Sequence, residues 1–131
     1  CTLGAPSRVA HGRSTRTLDR MGKIPLVAGL AVVSVTVGAV TFTWLQSRHY
    51  EAAFASTSLG DAEDIVIERF GAPSYREPRN KTYARYASTP CSDRCESRLW
   101  WELSLLPGFE AWSVELGAGR TVEHTAHWVS P

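Results

Sequence analysis

Most of the signatures that mark an enzyme are missing from this chain of 131 residues. No serine sits among the glycines of a nucleophile elbow, and no Gly-rich run could cradle a phosphate. His, Cys, Asp and Glu do not gather at metal-ligand spacings. His124 and His127, three apart in an alternating stretch, point to opposite faces and do not chelate together. These absences argue against hydrolytic, nucleotide-dependent or zinc chemistry. No catalytic residue, metal, cofactor or small-molecule substrate is expected. Glu102, Glu110, Glu115 and Glu123 read as solvent-facing strand residues rather than acid–base groups.

Charge of one sign is also lacking, with a net charge of only +1. From Gln46 onward nine Lys/Arg stand against twelve Asp/Glu, a net of −3. Arg76, Arg79, Lys81 and Arg85 are interleaved with acids, which argues against a nucleic-acid footprint. Cysteine is scarce, three in all. Cys1 precedes an apolar run instead of following one, so it does not read as a lipid-attachment cysteine. Cys91 and Cys95, in "CSDRC", are close enough in sequence for their Cα atoms to reach disulfide distance. In an exported compartment two such cysteines usually pair. A metal site and free thiols are the alternatives.

The most informative absence lies between Ile24 and Leu45, where "IPLVAGLAVVSVTVGAVTFTWL" has no ionisable side chain and no polar face. As a helix its twenty-two residues extend about 33 Å, against a hydrocarbon core of roughly 30 Å. Eleven of them are Val, Ile, Leu or Phe, together favouring insertion by about 3 to 7 kcal/mol. The expectation is a membrane span. Basic residues gather before it, a net of +4 ahead of Ile24, so the positive-inside rule places that end in the cytoplasm. Trp44 suits the headgroup boundary at the far end. Val37-Gly38-Ala39 offers a signal peptidase small residues, but the apolar run continues to Leu45, which favours a retained signal-anchor. Residues 1–23 read as a disordered basic cytoplasmic tail, or in part as sequence ahead of a start at Met21. Residues 46–57 read as a spacer or as a prolongation of the helix. Residues 58–131 read as an exported domain.

Within that domain, "SLGDAEDIVIERFGAP" carries the punctuation of a short helix of about ten residues. Asp61 is the expected N-cap, and Asp64 and Glu63 suit the first turn. Ala62, Ile65, Val66 and Phe70 share one face. Gly71 closes the helix and Pro73 forbids its continuation. Strands follow at period two: Lys81 to Ala87, Arg98 to Leu106, Glu110 to Leu116 and Thr121 to Ser130. Leu99, Trp101, Leu103 and Leu105 share a face, as do Trp112, Val114 and Leu116, and then Val122, His124, Ala126 and Trp128. The expected fold is α+β, with one or two helices packed on a three- to four-stranded antiparallel sheet and the other face wet or used. Trp100 must face away from Trp101, so Trp100, Trp112 and Trp128 are candidates for an interface. The alternative for Trp100 is packing against a loop.

A capped helix reading G-D-x-x-D-I-V…F-G-x-P, an aromatic strand and "WSVEL…GRTV" resembles the SmpA/OmlA (BamE-like) envelope lipoproteins. Gly60, Asp61, Asp64, Ile65, Gly71 and Pro73 carry the first part. Tyr83 and Tyr86 approximate the aromatic strand. Val114, Leu116, Gly119 and Val122 carry the hairpin. Phe70 replaces the usual leucine, Leu116-Gly117 the usual Phe-Asp, and the family's lipid-attachment cysteine is missing near Gln46. The resemblance spans Leu59 to Trp128. It implies a β-lactamase-inhibitor-protein-like fold and a non-catalytic module that binds an envelope protein partner. Here a helix in the inner membrane would replace the lipid tether, with the C-terminal domain in the periplasm. An inhibitor or sensor of a soluble hydrolase is the competing expectation.

Overall fold

The computed structural model describes residues 23–87 and 90–130. The basic tail, Cys1 and Met21 lie outside them. Two compact units divide the chain between Val37 and Gly38. The first contributes the early turns of helix α1 (Lys23–Ala55). The second holds the rest of α1, helix α2 (Glu63–Phe70) and strands β1 (Tyr75–Pro78), β2 (Cys95–Glu102), β3 (Glu110–Gly117) and β4 (Val122–Val129). The fold is α+β, and the strands form an open antiparallel sheet in the order β1-β2-β3-β4.

α1 is long and apolar enough to cross a membrane. Its large apolar side chains from Val27 to Leu45 are each at least 50% exposed among the described residues. Ser34, Thr36 and Thr43 turn their hydroxyls back onto the carbonyls four residues earlier. That hides polar atoms which an apolar surrounding would penalise.

Of the two readings of residues 46–57, spacer or prolonged helix, the structure takes the second, helical through Ala55. Its reason is packing: Tyr50 and Ala53 are buried in the main core beside Val66 and Phe70 of α2. Beneath them lie Leu99, Trp101 and Leu103 from the β2 side and Trp112, Val114, Leu116 and Val122 from β3 and β4. Phe70 stacks on Trp101 at 4.4 Å between ring centroids, and Tyr50 lies 5.1 Å from Trp112. These aromatic contacts draw both helices onto one face of the sheet.

α2 differs in detail from expectation. Ala62 is its N-cap residue and makes no side-chain cap bond. Asp61 turns away, its carboxylate accepting from the Ser58 amide and the Arg69 guanidinium. The helix has eight residues, and its buried positions are Glu63, Val66 and Phe70, while Ala62 and Ile65 are exposed. The stripe is rotated because Glu63 has arginine partners that make its burial tolerable. Gly71 ends the helix at a φ of 85°, where a side chain would strain the backbone.

The first strand is Tyr75–Pro78, not Lys81–Ala87. Tyr75, Arg76, Glu77 and Pro78 pair with Trp100, Leu99, Arg98 and Ser97. The Lys81–Ala87 stretch forms a turn in which the Tyr86 and Ala87 amides both donate to the Tyr83 carbonyl. β2 stops at Glu102, so Leu105 leaves the face it was expected to share and is 52% exposed. β4 is interrupted by a bulge: Leu116 pairs with Val122, while Glu115 pairs with His124. Glu123 is the extra residue. It leaves Val122 on the helix face and sends His124, Ala126 and Trp128 to the other.

Candidate functional site

The face of the sheet turned away from the helices was expected to be wet or used. Residues 79–87 and 90–95 cover much of it. Tyr83 and Tyr86 close over Trp100, with ring centroids at 5.6 and 5.4 Å. The Trp100 indole donates to Glu77 Oε2 at 2.7 Å. Trp100 is 0% exposed and Trp112 is 1% exposed. Neither can present a surface, because the first is roofed by the tyrosines and the second by α1. Trp128 alone of the three is part-exposed, with its indole donating to Ser113 Oγ at 2.9 Å.

Under the same cover lies an ionic interior that the alternation of "ESRLWWE" did not announce. Arg98 sits between Glu77 and Glu115, at 3.3 Å from Glu77 Oε1 and 3.0 Å from Glu115 Oε1. Burial by itself would raise the Glu115 pKa, but hydrogen bonds from Arg98 and Ser92 outweigh it and the net shift is downward. Glu102 receives the Tyr83 hydroxyl and, at 2.7 Å, the Arg85 guanidinium. Burial first, then the Glu102 carboxylate, push the Tyr83 phenol up to about 12. Glu102 and Glu115 are therefore buried, not solvent-facing; among the four glutamates Glu110 is half-buried and Glu123 exposed. Every buried side-chain polar atom among the described residues has a partner. Such saturation stiffens an interior.

Glu63 forms a second crossing, on α2. Arg120 donates to its carboxylate at 2.7 Å and Arg76 also binds it. Hydrogen bonding from Arg120 leads in holding its pKa at about 2, against a burial cost, with Arg76 adding to the effect. Arg120 reaches it from a left-handed backbone conformation, φ 54°. Of the motif residues, Asp61 holds the Ser58 amide and Arg69, Asp64 lies in the first turn of α2, and Gly71 ends the helix two residues before Pro73. Gly60 and Asp61 also bond the backbone of Val122.

Cys91 and Cys95 are joined as a disulfide, with Cα atoms 5.7 Å apart. The bridge ties the covering loop to the start of β2, and Ser92 beside it reaches Glu115. His124 and His127 occupy opposite faces: His124 pairs across from Glu115, while His127 stacks on Trp112 and bonds Glu110. Among the described residues no group of three or more His, Cys, Asp or Glu is placed to hold a metal ion.

Among the described residues the sheet has two edges, β1 and β4. β1 is a short edge of four residues that ends on Pro78. β4 is an eight-residue edge, and among the described residues no strand pairs with its outer side. Its start is covered where Val122 donates to Asp61 and accepts from Gly60. Beyond the bulge, Ser130 donates to Phe109. Alternation from that pair directs the amides of Thr125, His127 and Val129 outward. Trp128 lies beside this edge, and a cleft of about 630 Å³ containing His124, Glu123 and Asp93 lies near its other end. Unpaired strand edges of this length bind further strands unless they are blunted.

No family model, curated protein or solved structure matches this chain.

Proposed function

We propose that the chain is a non-catalytic, membrane-anchored interaction module of the bacterial cell envelope, and that the outer edge of β4 receives an extended segment of an envelope protein. The open run from Glu123 to Val129 carries this reading. Main-chain hydrogen bonds to the outward amides would supply affinity, and Trp128 would cover the incoming side chains. α1 holds the module in the inner membrane, with the basic segment before Ile24 in the cytoplasm and the sheet in the periplasm. The charge asymmetry around the apolar stretch supports that orientation, and the Cys91–Cys95 bond suits an oxidising space. Kinship with the SmpA/OmlA lipoproteins is part of the proposal and rests on the Gly60 to Pro73 motif.

Thr125→Pro tests it directly. Proline at an outward amide removes a donor from the free edge without breaking the β3–β4 ladder. Full-length chain pulled from solubilised membranes should bring down a membrane protein at fixed stoichiometry, and Thr125→Pro should lose it while melting as the wild type does. Undiminished capture by the proline variant would refute the edge. Capture of a soluble hydrolase would favour an inhibitor or sensor instead.

A further inference from the structure

The β2–β3 connection has a composition unlike the rest of the domain. From Leu103 to Phe109 it carries no charge, and Leu105, Leu106 and Phe109 are 52%, 49% and 56% exposed. It does not float. The Gln46 side-chain amide holds it on both sides, donating to Ser104 Oγ at 2.8 Å and accepting from the Ser104 amide at 2.9 Å. Ser47 donates to Glu110 Oε2 at 3.0 Å just beyond. Between this loop and α1 runs an open cleft of about 450 Å³, walled on the helix side by Ala39, Val40, Thr43 and Trp44. That size lies within the roughly 300–1,000 Å³ of small-ligand sites.

We infer that this cleft takes an acyl chain of a phospholipid from the surrounding leaflet, giving the domain a second hold on the membrane. The inference rests on the reading of Ile24 to Leu45 as membrane-spanning. One wall belongs to that stretch, so the cleft opens where the helix leaves the hydrocarbon. From Ala39 to Ser47 the helix rises about 12 Å. Over that distance the lining passes from apolar side chains to the Ser47–Glu110 pair, in the order in which a lipid passes from tail to headgroup. An aqueous peptide partner would meet no charge on the loop to pair with. A lipid tail needs none.

The test uses the full chain in phosphatidylcholine vesicles, with a photoreactive phenylalanine in place of Leu106, of Val33 within the anchor, or of Leu59 beyond α1. Lipid adducts at positions 106 and 33, with about tenfold less at 59, are expected if position 106 sits in the interfacial hydrocarbon. Adding Ala39→Trp, which fills the cleft from the helix side, should lower the adduct at position 106 severalfold and leave that at 33 unchanged. Adducts at 33 but not at 106 overturn the cleft and keep the anchor. Adducts at neither position overturn both. Insensitivity to Ala39→Trp, equal labelling at 59, or linkage of position 106 to a second copy of the chain also overturns the proposal.

Discussion

The two faces of the sheet are made by the same strands and are held by different physics. Toward the helices, Leu99, Trp101, Trp112, Val114 and Leu116 pack against α1 and α2 in an apolar cluster, with Glu63 of α2 buried beside it against Arg76 and Arg120. Toward the loop, Arg98, Trp100 and Glu102 alternate with those very residues. They are buried under a segment of irregular chain that brings tyrosines, a serine and a disulfide. The dry face is held by area and shape and needs regular helices to supply both. The ionic face is held by saturated hydrogen bonds, which demand particular atoms at particular places and can be met by a loop. One face should respond to lost volume and the other to lost partners.

The largest effect should follow from Trp101→Ala. It removes a fully buried indole stacked on Phe70, and the cost should be about 3–5 kcal/mol in denaturant unfolding of the micelle-bound chain. Arg98→Leu should cost about 3 kcal/mol, because it leaves Glu77 and Glu115 buried without their cation. The comparison is sharpened by adding Glu77→Gln and Glu115→Gln to Arg98→Leu. Much of the loss should return, whereas no polar substitution should rescue Trp101→Ala. If the triple variant is no better than Arg98→Leu, the ionic face is held by packing after all.

The disulfide closes only a short loop, so replacing Cys91 and Cys95 by serine should cost about 2 kcal/mol. Hydrogen exchange should then quicken in the covering segment before it quickens in β3.

The smallest effect is one of pH. The Glu63 carboxyl has a folded pKa of about 2 against an ordinary value of 4.5, so its stabilisation is complete above about pH 4.5 and is lost as pH falls toward 2. Arg76 and Arg120 are 45% and 73% exposed, and solvent screening reduces the contribution to about 1–2 kcal/mol. Glu63→Gln should flatten that acid limb in a series of unfolding curves. Tyr83 works in the opposite sense: its phenol is raised to about 12 from 10.0, so the loop-covered face should loosen as pH climbs from about 10 toward 12.

Periodicity exposed much of the dry face. Trp112, Val114 and Leu116 were legible as an inward row, and so were Leu99, Trp101 and Leu103, because strand alternation is a local property. The stop at Gly71 and Pro73 was equally local. The rotation of α2 was not, since Glu63 is buried only because Arg76 and Arg120, distant in sequence, reach it. The strand expected at Lys81 to Ala87 failed for a related reason. Its tyrosines have the composition of a strand, but they are used three apart on a turn to roof Trp100. For the candidate edge, Trp128 was visible as a residue. That its strand is the edge, and that it faces away from Val122 across the bulge at Glu123, a simple alternation from Val122 conceals.

By itself the sequence determined a charge-free stretch long enough for a bilayer, the short helix and the last three strands after it, and the row of side chains that forms the dry core. Those properties depend on neighbours a few residues apart. The tertiary structure alone decided that the second face is an interior, that Trp100 and Trp112 are covered, that α1 continues into the core, and that β4 is the long open edge. Alternation says which side chains share a face. What comes to lie on that face depends on contacts between residues far apart in the chain, which no local pattern records.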